Sequence, residues 1–245
     1  MSEMTVQNVF GRPNTAVIAL SAGIIAPEHD LSALADINAS LPLSGRMMPE
    51  DEWTERYNAA NNDWIKMHIT WAAEQGVEVT REEVSSAYGV QFGMLYLKQG
   101  KPTLPGAKDL LDYCSREEIP FGLATGQWSN IVNGLYVPDA GLILRPELVK
   151  GGLIPATPDI IDGAVEDILS VMRDGGASVN YLVLVDGNKS RLKAAGDTTF
   201  ASRAGLESVV KIGVKDKWLS KGLSEVTDYQ FKSVVELYGA LTGGQ

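Results

Sequence analysis

Thr15-Ala16-Val17-Ile18-Ala19-Leu20 runs directly into Ser21-Ala22-Gly23-Ile24-Ile25. The first six residues are apolar, partly β-branched and uncharged. That pattern predicts a strand covered on both faces of a parallel sheet. Ligands of such sheets bind beyond the carboxyl ends of the strands, so the residues at the end of this strand bear on chemistry. The side chain there is Leu20, which can neither attack an electrophile nor hold a cation.

Upstream, residues 1–14 read as a polar arm. Downstream, Pro27 breaks the chain, and residues 28–99 read as helical. Trp53, Tyr57, Ala60, Trp64, Met67 and Trp71 follow a three/four spacing, one apolar stripe on a long helix. Thr80 with Glu83 has the form of a capping box, opening a helix expected to bury Val84, Tyr88, Val90, Phe92 and Leu95. After Gly106 helices and strands alternate. A helix with Leu110, Leu111 and Cys114 ends near Glu117. Strands are expected at Pro120–Ala124, Gly141–Leu144, Tyr181–Val185 and Ser208–Val214. Helices are expected at Trp128–Leu135, after Thr157-Pro158, and from about Tyr229 to Leu241. The acids Asp159, Asp162 and Glu166 are expected on a solvated helix face. This alternation predicts an α/β fold: a Rossmann-like parallel core, helices on both faces, and an inserted helical cap. The expected division is 1–27 with 100–245 as the core and 28–99 as the cap.

The chain has 245 residues, a net charge of −10, 44% hydrophobic and 21% charged residues. Its pI of about 4.7 disfavours a phosphate-backbone binder, so no nucleic-acid partner is expected. No apolar run is long enough for a membrane span, and no signal segment is legible at Met1–Met4. A single cysteine, Cys114, suits a reducing compartment and a small core position. The expectation is a cytoplasmic protein. His29 and His68 lie far apart without metal-site spacing and are expected to be structural.

Three strand ends stand out: Leu20-Ser21-Ala22, Thr125-Gly126 and Asp186-Gly187. With Leu104-Pro105-Gly106, Tyr136-Val137-Pro138-Asp139, Arg203-Ala204-Gly205-Leu206 and Gly222-Leu223-Ser224, they resemble the haloacid dehalogenase (HAD) superfamily. More narrowly, they are similar to its phosphonoacetaldehyde hydrolase (phosphonatase) branch. The resemblance implies a carboxylate nucleophile where this chain has Leu20, with Ala22 and Gly23 following it as in the branch. It implies a Schiff-base lysine near Met48–Glu52, yet no lysine precedes Lys66, which reads as a solvated helix-face residue. The branch's phosphate-binding arginine is missing beside Gly151-Gly152, leaving Lys150 as the nearest substitute. A metal-supporting aspartate four residues past Asp186 corresponds to Ser190.

What remains is a vestigial phosphate or ligand site at Ala22, Gly23, Thr125, Gly126 and Lys150. Asp186 is the only metal candidate. A structural role for it as a helix N-cap is the stronger expectation, and Asp197 of Gly196-Asp197-Thr198 reads as a loop or cap residue. Ser21 and Thr125 are the nearby hydroxyls, with no histidine placed by sequence to activate them. The reading is a phosphonatase-like pseudoenzyme without cofactor, acting by binding or assembly, as a homodimer through the cap or with a protein partner. Trp53, Trp64 and Trp71 are candidates for that contact, or for internal packing. The alternative is an altered hydrolase of a small phosphorylated or phosphonate substrate, which would need Mg2+.

Overall fold

The computed structural model describes residues 5–100, 103–127, 131–139 and 144–243. Six parallel strands are built from β1 (Thr15–Ala19), β2 (Phe121–Ala124), β3 (Val149–Lys150), β4 (Tyr181–Asp186), β5 (Ser208–Val214) and β6 (Tyr229–Phe231). Their order is β3-β2-β1-β4-β5-β6, so β1 lies between β2 and β4. This is the expected α/β architecture. β1 is buried at every position, which its uninterrupted apolar sequence requires.

Alternation along β1 sorts its side chains between two cores. Val17 and Ala19 face one cluster, with Phe10, Leu110, Cys114, Leu237 and Leu241. These come from α1 (Val6–Phe10), α6 (Ala107–Arg116) and α10 (Val234–Thr242). Ala16, Ile18 and Leu20 face the other, with Ile161, Val165, Ile168, Leu182 and Phe200. Its helical members come from α7 (Pro158–Asp174), α8 (Lys189–Ala194, through Leu192) and α9 (Thr198–Arg203).

Between β1 and α6 lie α2 (Glu28–Ser44), α3 (Glu50–Ala59), α4 (Trp64–Glu74) and α5 (Arg81–Lys98). The Thr80–Glu83 capping box opens α5: Glu83 N donates to Thr80 Oγ1 at 3.2 Å, and Thr80 N to Glu83 Oε2 at 2.7 Å. Gln127, just past β2, ties this block to the sheet, since its Nε2 donates to Ser32 Oγ and Tyr88 Oη, each at 2.9 Å. No helix among the described residues is long and apolar enough to cross a membrane.

Several expectations are corrected. The tryptophan stripe is not one helix. Asn61 and Asn62 both take positive φ (58° and 59°), and Asp63 caps α4 by accepting from Lys66 N. Asparagine tolerates this left-handed backbone better than most residues, so the near-helical spacing runs across a turn. Trp53, Trp64 and Trp71 are buried; they pack within the chain. The N-terminal arm contains α1, held by buried Val6, Val9 and Phe10. The C-terminal helix begins at Val234, because Tyr229–Phe231 instead pairs with β5 as an edge strand. Asp162 is buried, not solvated, and accepts from Gly196 N at 2.9 Å. Thr157 holds the N-cap position of α7 without a side-chain bond. Residues 141–143 of the expected Gly141–Leu144 strand, and 128–130 of the expected Trp128–Leu135 helix, lie outside the described residues; Val132–Tyr136 is helical.

Candidate functional site

Register brings three strand ends together: Ala19 lies opposite Leu123 on one side and Val185 on the other. Leu20 extends this row, its N–H donating to Val185 O at 2.9 Å. The Leu20 side chain is 1% exposed and packs into the α7/α9 core. Its carbonyl accepts from Arg191 Nη1 at 2.8 Å.

Thr125 is fully buried. Its hydroxyl donates to Glu28 Oε1 at 3.0 Å and accepts from Gln127 N at 3.1 Å. Gly126 lies against the Arg191 guanidinium, and any Cβ there would overlap it. Ala22 is buried. A Cβ at Gly23 would sit 3.0 Å from Ser21 Oγ and 3.2 Å from the His29 ring, so the close approach of that ring favours glycine. Asp186 Oδ1 accepts from Ser21 Oγ at 2.6 Å and from Gly187 N at 2.7 Å. Lys150 goes elsewhere: its Nζ is 3.2 Å from Asp167 Oδ2 on α7.

Asp186 is not the helix cap. Asn188 caps α8 by accepting from Ser190 N and Arg191 N, and Asp197 caps α9 by accepting from Phe200 N. Ser190 faces Asn58 of α3. The buried side chain that α8 sends into the site is Arg191, at 4% exposure.

The first turn of α2 supplies Glu28 and His29, at 3% and 7% exposure. His29 Nδ1 is 2.8 Å from Asp216 Oδ2, just past β5. Asp216 Oδ1 accepts from Trp218 N and Leu219 N, both at 2.7 Å. Glu28, His29, Arg191, Gly126 and Gln127 line a cavity of about 30 Å³, walled by Trp53, Tyr57, Trp64 and Tyr88. That is room on the order of one water. Among the described residues, Glu28 Oε2, His29 Nε2 and Asp186 Oδ2 are buried without a hydrogen-bond partner.

Burial alone would lower the His29 pKa, but the charge and hydrogen bond of Asp216, with Glu28 and Asp186 nearby, raise it to about 9. His29 is therefore a cation at neutral pH and no general base. Burial pushes Asp186 up, against the opposing charges of Arg191 and His29. Burial would also lower Arg191, yet Tyr57, Asp186 and Glu28 hold it above its usual value. Tyr57 is pushed up to about 12, mainly by burial. Cys114, in the core, is likewise pushed to about 12 by burial, and an unreactive thiol results.

The family resemblance of the sequence implies a magnesium ion at these strand ends, and the residues present do not fit one. Magnesium needs several hard oxygen ligands. Here Leu20 offers only a carbonyl, already bonded to a guanidinium, and Asp186 offers only Oδ2, since its Oδ1 is already bonded twice. Arg191 puts a fixed positive charge beside both. No three His, Cys, Asp or Glu side chains among the described residues are grouped to hold a metal.

Neither a protein-family model nor a curated protein matches the chain. Solved structures do. A variant of CbbY from Rhodobacter sphaeroides, in complex with xylulose-(1,5)bisphosphate, is 18% identical with a TM-score of 0.66, over 92% of this chain and 96% of that one. A HAD hydrolase of family IA from Entamoeba histolytica is 15% identical with a TM-score of 0.63, over 93% and 99%. A β-phosphoglucomutase from Clostridium difficile is 13% identical with a TM-score of 0.61, over 92% and 93%. The chain has the α/β fold of the HAD hydrolases.

No sequence motif marks Glu28, Arg191 or Asp216, and His29, expected to be structural, lines the cavity. An acid in the first turn of a helix is commonplace, so Glu28 carried no signal. Arg191 lies one residue past Ser190, and nothing in the local sequence pattern marks it as buried in the site.

Proposed function

We propose that this is a HAD-superfamily protein, phosphonatase-like by its sequence motifs, that is catalytically silent and acts by binding or assembly. The observation that carries the reading is the state of the strand ends. Leu20 is turned into the core, and the two polar places beside it are filled from within the chain. Thr125 gives its hydroxyl to Glu28, and Arg191 stands where a cation would be needed. Losing both the covalent nucleophile and the metal removes most of the transition-state stabilisation such chemistry relies on. The reading requires no cofactor. A cytoplasmic setting suits the buried thiol of Cys114.

For assembly, α5 offers Val90, Met94 and Leu97, 57%, 62% and 78% exposed, at i, i+4 and i+7 on one face. The partner proposed there is a second copy of the chain, as the phosphonatase resemblance suggests. Light scattering should then show a dimer at micromolar concentration that Met94→Lys with Leu97→Lys converts to monomer. A wild-type monomer would remove the dimer from the proposal.

One observation favours the second reading, an altered hydrolase. Glu28 presents an unpartnered Oε2 in the cavity that it lines beside Arg191, which makes it a candidate for a relocated carboxylate. Assays with magnesium on p-nitrophenyl phosphate and phosphonoacetaldehyde separate the two readings. The silent protein shows no turnover above buffer; turnover abolished by Glu28→Gln would establish the hydrolase instead.

A further inference from the structure

The geometry points to Glu28 as the residue that keeps small oxyanions out of the strand-end site, by holding its own carboxylate where such an anion would bind. The inference rests on the silent reading of the same site and adds the identity of the group that closes it.

The groups that would hold an oxyanion are all here. Thr125 contributes a fully buried hydroxyl at the end of β2. Arg191 brings a buried guanidinium against Gly126, and His29 a buried ring cationic at neutral pH. Two cations and a hydroxyl converging at the carboxyl ends of parallel strands make an anion site in an accustomed place. Glu28 answers them. Its Oε1 takes the Thr125 hydroxyl at 3.0 Å, and its charge is felt by both Arg191 and His29. With Glu28 in place the cavity on the Arg191 side is about 30 Å³, on the order of a single water; a larger pocket of about 440 Å³ that Glu28 and His29 also line, with Gly23, Gly187 and Asp216, does not reach Arg191.

Charge points the same way. The acids facing the cavity or its cations are Glu28, Asp36, Asp186 and, beyond His29, Asp216; the cations are Arg191 and His29. A further anion would lie beside the Glu28 carboxylate in a poorly solvated space, where like charges repel strongly. Removing that carboxylate releases the hydroxyl, the space and the attraction of both cations together. The unpartnered Glu28 Oε2 shows that the carboxylate is only half satisfied, so an anion with more acceptor oxygens would use the same donors more fully.

The test uses the full chain and inorganic phosphate, with orthovanadate as a second probe. Calorimetric titration at pH 7 should show at most very weak binding to the wild type. Glu28→Ala should bind phosphate at least about tenfold more tightly, because a repelling buried charge is gone. Phosphate should also raise the melting temperature of Glu28→Ala, by mass action on the folded state, with potassium chloride at equal ionic strength as the control. Glu28→Ser serves if the alanine variant does not fold, and should behave alike. Adding Arg191→Met to either variant should abolish the gain.

Wild-type binding as tight as that of Glu28→Ala would overturn the inference. So would folded Glu28→Ala and Glu28→Ser proteins that ignore phosphate, or a gain that survives Arg191→Met. These results leave the silent reading standing. That reading fails separately, on wild-type turnover.

Discussion

Two aspartate–histidine pairs, one part-buried and one sealed from solvent, behave differently in this molecule. His29 and Asp216 meet at 2.8 Å beside the strand ends; His68 and Asp36 meet at 3.0 Å among α2, α3 and α4. Burial pushes both carboxyls up. At Asp216 the charge and hydrogen bond of His29, with the backbone N–H groups of Leu219 and Trp218, outweigh burial and bring the pKa below the usual value. At Asp36 the bonds from His68 and from Trp53 Nε1 do not, and the pKa stays raised. Two things differ: the Asp216 side chain is 21% exposed against 1% for Asp36, and of the two only Asp216 also accepts from backbone N–H groups. Chain leaving a parallel strand has N–H groups free to turn onto a carboxylate, whereas those along the side of a helix are already committed. Partial exposure and backbone donors keep the Asp216 carboxyl low, whereas Asp186, at a strand end but sealed from solvent, is held up by burial as Asp36 is.

Three measurements would break or sharpen that contrast. The largest effect is expected from Arg191→Met. It strips the strand-end cluster of its buried guanidinium and leaves Glu28 and Asp186 unbalanced, so urea unfolding at pH 7 should show a loss of about 3–5 kcal/mol. A loss under about 1 kcal/mol would mean that the cluster is not held by charge.

The second is a pH dependence. The folded His29 pKa of about 9 lies above the ordinary histidine value of 6.5. Between those values the folded protein binds a proton that the unfolded chain has released, so stability falls as pH rises. The contribution is fully present below pH 6.5 and lost through about pH 9, roughly 3 kcal/mol in all. Unfolding curves across that window should show the decline, and Asp216→Asn should flatten it. The buried thiol of Cys114 adds a decline of the same sign at the alkaline end, which Asp216→Asn leaves in place. An unchanged slope in Asp216→Asn would assign the effect elsewhere.

The smallest effect belongs to the helical block, at a place that depends on local geometry alone. Thr80→Ala removes one half of the α5 capping box and should cost about 1 kcal/mol in thermal unfolding. It should leave the pH slope untouched; a change in slope would tie the helical block to the strand-end charges more closely than the structure shows.

Where sequence reading succeeded, the signal was local. The apolar runs of β1, β2, β4 and β5 mark strands at the observed positions, and Thr80-x-x-Glu83 marks the start of α5. Where it failed, distant groups decided. The tryptophan spacing crosses the Asn61–Asn62 turn, which no periodicity reveals. Tyr229–Phe231 became a strand because β5 offered an edge. Asp162 became buried because Gly196 supplies a donor.

The amino-acid order alone determined the layered α/β architecture and placed an aliphatic residue at the end of β1, because both follow from patterning within a few residues. Only the tertiary structure decided what surrounds that residue. Glu28, Thr125, Asp186, Arg191 and Asp216 lie on five separate segments, and their charges and hydrogen bonds act over a few ångströms of space that the order of the chain does not specify.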